Sequence, residues 1–167
     1  LLRPLFNKAV LLKRGNPEES LDIYLRIYKI REKQGAIPEM VKTLQAIADL
    51  QENNNELVKA FQRYQEAYRL CKTYGYEIYL PNILTGLASL KMDQYDYEEA
   101  LTYAAEAVKA AQMSGQVESL LNALSIQASA WYYLGDKEQA LKVLEEVLSN
   151  AASTGFRAFS VQAWVKQ

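Results

Sequence analysis

The chain has 167 residues, half of them apolar, with 19 basic and 20 acidic side chains, a net charge of −1, one cysteine and no histidine. This apolar content at so small a net charge excludes a disordered chain, one thiol excludes an internal disulfide framework, and the missing imidazole excludes a Ser/His/Asp or Cys/His triad and any His-containing zinc site. The balanced charge offers no broad basic field for nucleic acid, and no apolar run approaches the roughly 18 residues that would suggest a membrane span. The sequence opens on Leu1-Leu2 without a charged-then-apolar leader pattern, so the expectation is a cytoplasmic piece of a longer protein.

Glycine spacing sets the frame. Gly35, Gly75, Gly115 and Gly155 are each 40 residues apart, Gly15 and Gly135 differ by three such periods, and only Gly86 is out of step. A fixed period of this size marks a repeat array. The units run 1–35, 36–75, 76–115 and 116–155, and 156–167 begins a fifth. Small residues recur at Ser20, Ala60, Ala100 and Ala140, and again at Ala48, Ala88 and Ala128; Leu44, Leu84, Leu124 and Trp164 form an apolar column.

Each unit is predicted to hold two amphipathic helices, because apolar residues such as Ala100, Leu101, Ala104, Ala107 and Val108 follow helical spacing. In unit one, Pro4 and Asn7 replace the leucines of later units, so its first helix is expected to be irregular. Asn16-Pro17-Glu18-Glu19 then supplies an N-cap, a first-turn proline and early acids for the second helix. In unit two, Glu56 is a poor N-cap and Asn53-Asn54-Asn55 makes the turn. In units three and four, Asp96 with Glu99 and Asp136 with Gln139 resemble capping boxes. Each second helix is predicted to stop at a glycine in the left-handed conformation. Gly86 falls inside a first helix, where it either admits a close approach or stands as a tolerated defect of about 1 kcal/mol.

Tyr97–Leu101 (YEEAL) and Leu134–Leu141 (LGDKEQAL), with the alanines at 88, 128, 100, 140 and 107, resemble the tetratricopeptide repeat (TPR). The usual unit has about 34 residues, so a 40-residue unit resembles a long-helix variant. Arrays of this kind occur in kinesin light chains, polarity adaptors and bacterial peptide-sensing regulators. The resemblance implies an all-α fold, an α-solenoid of antiparallel helix hairpins wound as a right-handed superhelix whose first helices line a concave groove. A truncated array would leave an end face carrying some of Phe156, Phe159 and Trp164, open to self-association.

By that resemblance, the groove residues are the polar ones between packing positions of the first helices. Unit two supplies Lys42, Gln45, Asp49, Glu52 and Asn53. Unit three supplies Asn82, Thr85, Ser89, Met92 and Asp93. Unit four supplies Asn122, Ser125, Ser129, Tyr132 and Tyr133. Each set keeps to one helical face. Two readings stand side by side: the face is polar because it is solvated, or the column Lys42, Asn82, Asn122 and Gln162, spaced by 40, holds the backbone of an extended peptide through amide donors and acceptors. No cluster of cations suits a chaperone-tail carboxylate.

Tyr24, Tyr28, Tyr64 and Tyr68 fall at packing positions and are read as core rather than as a base-stacking or cofactor surface; Cys71 lies in a small-residue column as a buried, inert thiol. Charge is uneven, with 13 basic and 9 acidic residues in 1–75 against 6 and 11 in 76–167, which is either drift on wet faces or a steering field. With no catalytic constellation, metal site, cofactor loop or phosphate cradle in view, the expectation is a non-catalytic module binding a protein or peptide partner. The alternatives are a structural or self-assembling scaffold and a peptide or small-molecule sensor domain of a larger regulator.

Overall fold

The computed structural model describes residues 2–153; Gly155, Phe156, Phe159, Gln162 and Trp164 lie outside them. The fold is all-α, built of stacked helix pairs. The described helices are α1 (Leu2–Leu12), α2 (Pro17–Lys33), α3 (Ile37–Asn53), α4 (Leu57–Tyr74), α5 (Leu80–Asp93), α6 (Tyr97–Ser114), α7 (Val117–Tyr133) and α8 (Lys137–Ser153), with a 3₁₀ turn at Glu77–Tyr79. The chain divides between Tyr79 and Leu80 into two compact units.

Turn backbone repeats more strictly than turn sequence. Gly35, Asn55, Gly75, Tyr95, Gly115 and Gly135 all have φ between 61° and 89°, so a left-handed residue recurs every 20 positions and closes each helix from α2 to α7. Gly15 stays outside that region, so the expectation that it marks the period in the same way is corrected. In the left-handed state a non-glycine side chain crowds its own backbone; glycine escapes this and asparagine tolerates it, whereas Tyr95 does neither.

The caps follow from short polar side chains. Asn16 Oδ1 accepts from the Glu19 amide at 3.2 Å, Asp96 Oδ1 from the Glu99 amide at 3.3 Å and Asp136 Oδ1 from the Gln139 amide at 3.0 Å. The expected capping boxes are incomplete. The Asp96 and Asp136 amides donate instead to the carbonyls of Lys91 (2.9 Å) and Trp131 (3.0 Å) in the preceding helices, and the Glu99 carboxylate pairs with Lys91 at 2.5 Å. Glu56 makes no side-chain cap, as its sequence context predicts.

In the first compact unit, α1 is a regular helix, which corrects the irregularity expected there. Pro4 lies in its first turn, where its absent N–H would have no helical partner in any case. Leu2, Leu5, Phe6 and Leu12 pack against a cluster of Ala9, Ile23, Tyr24, Ile27, Ile47 and Leu50. Phe6 meets Tyr24 edge-on at 5.1 Å. Ser20, fully buried, donates its hydroxyl to the Ala9 carbonyl at 2.8 Å, so α2 approaches the α1 backbone as closely as one small side chain allows.

Tyr64 anchors α4 to α3 by donating its phenol to Asp49. Burial first, then the Asp49 charge, holds that phenol far above its usual range. Tyr28 reaches Glu66 at 2.6 Å. The tyrosines predicted as core divide accordingly: Tyr24 and Tyr64 are buried, and Tyr28 and Tyr68 are half-buried. Cys71 is fully buried, and burial pushes its thiol up to about 11.

In the second compact unit, α5 and α7 lie side by side with α6 and α8 as their partners. The α-helical part of α5 begins only at Leu80 because the ring of Pro81 opposes an α-helical bond to the carbonyl four residues back, and the chain takes a 3₁₀ turn there. The core holds Ile83, Leu84, Leu87, Leu90 and Leu124, each at most 1% exposed, and each stabilises the fold by about 1.5–3 kcal/mol. Ala100, Ala104, Ala107 and Ala111 form the buried stripe of α6. Leu141 and Leu148 on α8 are half or more exposed, whereas their 40-residue counterparts on α6, Leu101 and Val108, are half-buried.

Candidate functional site

In the first compact unit, Lys42 is exposed on α3 with its ammonium 5.5 Å from the Tyr79 ring centroid. Gln45 and Asp49 are half-buried. Asp49 is already engaged, accepting from Tyr64 and standing 4.0 Å from Lys13. Glu52 accepts from the same phenol at 3.4 Å, and Asn53 donates to the Asp49 carbonyl. Most polar groups of this face therefore serve α3 and α4 themselves.

The second compact unit holds the more open arrangement. Asn82 on α5 and Asn122 on α7 are both exposed and line a recess of about 390 Å³ together with Gln116, Val117, Glu118 and Ser119. Ser119 donates to Asn82 Oδ1 at 2.7 Å, which fixes that amide and turns its NH₂ outward as the available donor. The Asn122 side chain makes no hydrogen bond among the described residues.

Further along the face, Thr85, Ser125 and Ser129 donate their hydroxyls to the carbonyls four residues back, at 2.7 to 2.9 Å. Their protons are spent within their own helices, and only their oxygen lone pairs face outward. Ser89 and Met92 are half-buried, Asp93 exposed.

At the end of the face stands an aromatic group that the sequence reading only half identified. Tyr133 stacks on Tyr97, 5.0 Å between centroids and 10° between planes. Tyr132 meets Tyr133 edge-on at 5.6 Å, and Tyr95 meets Tyr97 edge-on at 6.4 Å. Tyr95 and Tyr97 sit at a turn and a helix start, outside the first-helix positions that the periodicity marks as groove-facing. The available signal was that Tyr95 stands 40 residues from Asn55 and from Gly135, where small residues belong.

Among the described residues, no group of three or more His, Cys, Asp or Glu is placed to hold a metal ion, and no helix is long and apolar enough to cross a membrane.

Comparison with known proteins agrees with this architecture. A family model described as tetratricopeptide repeat matches residues 82–113. No curated protein matches the sequence. Among solved structures, aspartyl phosphate phosphatase F from Bacillus subtilis superposes with a TM-score of 0.84 at 18% identity, over 90% of this chain and 40% of that one. A signal-transduction ATPase with numerous domains from Pyrococcus horikoshii, carrying a tetratricopeptide repeat sensor, gives 0.79 at 22% identity, over 93% of this chain and 25% of that one. A Rap protein complexed with competence and sporulation factor gives 0.76 at 17% identity, over 91% and 43%. The chain thus spans less than half the length of each of these three proteins. At such identities the likeness is one of fold, and the fold is TPR-like.

Proposed function

We propose that the chain is a non-catalytic binding module, an array of the long, 40-residue TPR variant, that takes an extended peptide or a partner helix along the exposed face of its first helices. The observation that carries this reading is the pair Asn82 and Asn122. They occupy equivalent exposed positions on adjacent helices and border one polar recess, one amide oriented by Ser119 and the other making no hydrogen bond among the described residues. Two such amides suit the repeating N–H and C=O groups of an extended backbone and do not select its side chains. The likeness to a Rap protein solved with a bound factor and to a protein with a repeat sensor supports a bound partner and a sensing role in a larger regulator. The test is to titrate a library of unstructured peptides against the parent and against Asn82→Ala/Asn122→Ala. A loss of about tenfold or more is expected from two hydrogen bonds; equal affinities would remove the amides from the mechanism.

The second reading, a self-assembling scaffold, rests on Leu141 and Leu148, exposed on α8 where α6 carries half-buried apolar residues. Light scattering over a concentration series separates the two, since a strict monomer sinks the scaffold.

A further inference from the structure

Four tyrosines, Tyr95, Tyr97, Tyr132 and Tyr133, form a continuous ring cluster on the second compact unit. Tyr95 is 78% exposed, and Tyr132 and Tyr133 are each 53% exposed. Burial does not explain this concentration. Nor does the backbone: Tyr95 has φ 61°, and the equivalent left-handed positions carry Asn55 and Gly135. A bulky residue here is strained, and its exposed ring regains little by packing. Strain held at a solvent-facing residue is a mark of function rather than of folding.

The chemistry around the rings selects the ligand. Aromatic faces carry negative potential and attract cations. The segments 91–99 and 131–139, which hold all four tyrosines, bear six carboxylates and two lysines. Lys91 is bound to Glu99 at 2.5 Å and Asp96 at 3.6 Å. Elsewhere the chain already uses this chemistry, with Lys72 5.7 Å from the centroid of Tyr68.

We infer that this tyrosine cluster is a docking surface for an arginine-bearing segment of a partner protein, with guanidinium groups lying on the exposed ring faces and the net negative charge of the segments that carry the rings favouring a cationic partner. Arginine fits better than lysine because its planar, weakly hydrated group stacks on a ring. The inference takes from the proposed function only that the chain binds a partner; it does not use the amide recess, and the two can fail separately.

The probe is a fluorescein-labelled octapeptide of alternating glycine and arginine, followed by anisotropy at low ionic strength, with the glycine–glutamine octapeptide as its neutral control. Binding of the arginine probe is expected to fall at least about fivefold in Tyr132→Ala/Tyr133→Ala and to stay within about twofold in Tyr132→Phe/Tyr133→Phe, which keeps the ring faces. Asn82→Ala/Asn122→Ala is expected to leave the ratio of arginine-probe to glutamine-probe affinity unchanged, because backbone capture by the amides would contribute equally to both peptides, so loss of the amide mechanism would not register in that ratio. Tyr95→Gly removes the strain and one ring, so it should raise the melting temperature by about 2–4 °C while weakening the probe. Equal affinity for the double alanine variant, equal affinity for the glutamine peptide, or a lower melting temperature for Tyr95→Gly would each overturn the inference. So would concentration-dependent self-association abolished by the alanine pair, because the occupant would then be a second copy of the chain.

Discussion

Replacing Ala100 with leucine tests how closely paired helices approach. Ala100 is fully buried, as are its counterparts Ser20 and Ala60, and Ala140 is 4% exposed. The Ser20 hydroxyl reaches the Ala9 carbonyl at 2.8 Å, so what faces this column is the backbone of the preceding helix, which cannot change rotamer to make room. Three added carbons should therefore cost near the upper end of the usual overpacking range, about 2–3 kcal/mol. Leucine and alanine differ little in helix propensity, so the loss comes from packing alone. For a chain of this size the melting temperature should fall by about 5–10 °C. Two companions sharpen the measurement. Ala105→Leu, on the exposed side of the same helix, should stay within about 0.5 kcal/mol. Ala100→Ser should stay within about 1 kcal/mol, because the Ser20–Ala9 geometry maps onto position 100 and the Ser89 carbonyl. Urea melts followed by far-UV circular dichroism read all three, and an Ala100→Leu variant as stable as Ala105→Leu would refute the close-approach argument.

Cys71 should resist thiol reagents in the native chain and react on unfolding, as a buried thiol held near 11 must. Its folded value lies above the unfolded value of 9.0, so the unfolded chain sheds the proton first. Stability is therefore intact below pH 9 and declines between pH 9 and 11 by at most about 2–3 kcal/mol; melts of Cys71→Ala across that window should lack this component. Gly115→Ala should cost about 1 kcal/mol in a urea melt even though a Cβ there meets nothing within 4 Å, because φ is 68°; an unchanged midpoint would deny that the left-handed turn matters.

What the sequence disclosed was mostly local. Glycines spaced by 40 predicted the turns at 35, 75 and 115, and the Asn53–Asn55 run predicted the turn before α4, because both residue types act on their own backbone. Short polar residues before helix starts gave the caps, but not which donor the second half of each cap would choose. The α1 helix is regular despite Pro4 because proline breaks a helix only past its first turn, and sequence pattern does not fix a helix start to within a residue or two. In the candidate site, the exposure of Asn82 and Asn122 followed from periodicity. The Ser119–Asn82 bond did not, since it depends on the register between two helices. The back-bonded hydroxyls of Thr85, Ser125 and Ser129 could have been anticipated from helical Ser and Thr habits. Tyr95 could not, because nothing in propensity places tyrosine in a left-handed turn.

The left-handed residue that recurs every 20 positions has a kinetic consequence. Within each compact unit, helices pack on partners one or two elements away in sequence, so the loops that must close before contacts form are short. Low contact order of this kind favours folding in microseconds to milliseconds. It also weakens all-or-none behaviour, because a helix pair can be lost while its neighbours persist. Amide hydrogen exchange should therefore grade within each compact unit, slowest at the fully buried Leu44 and Leu84 in the interiors of α3 and α5 and faster at exposed helix ends.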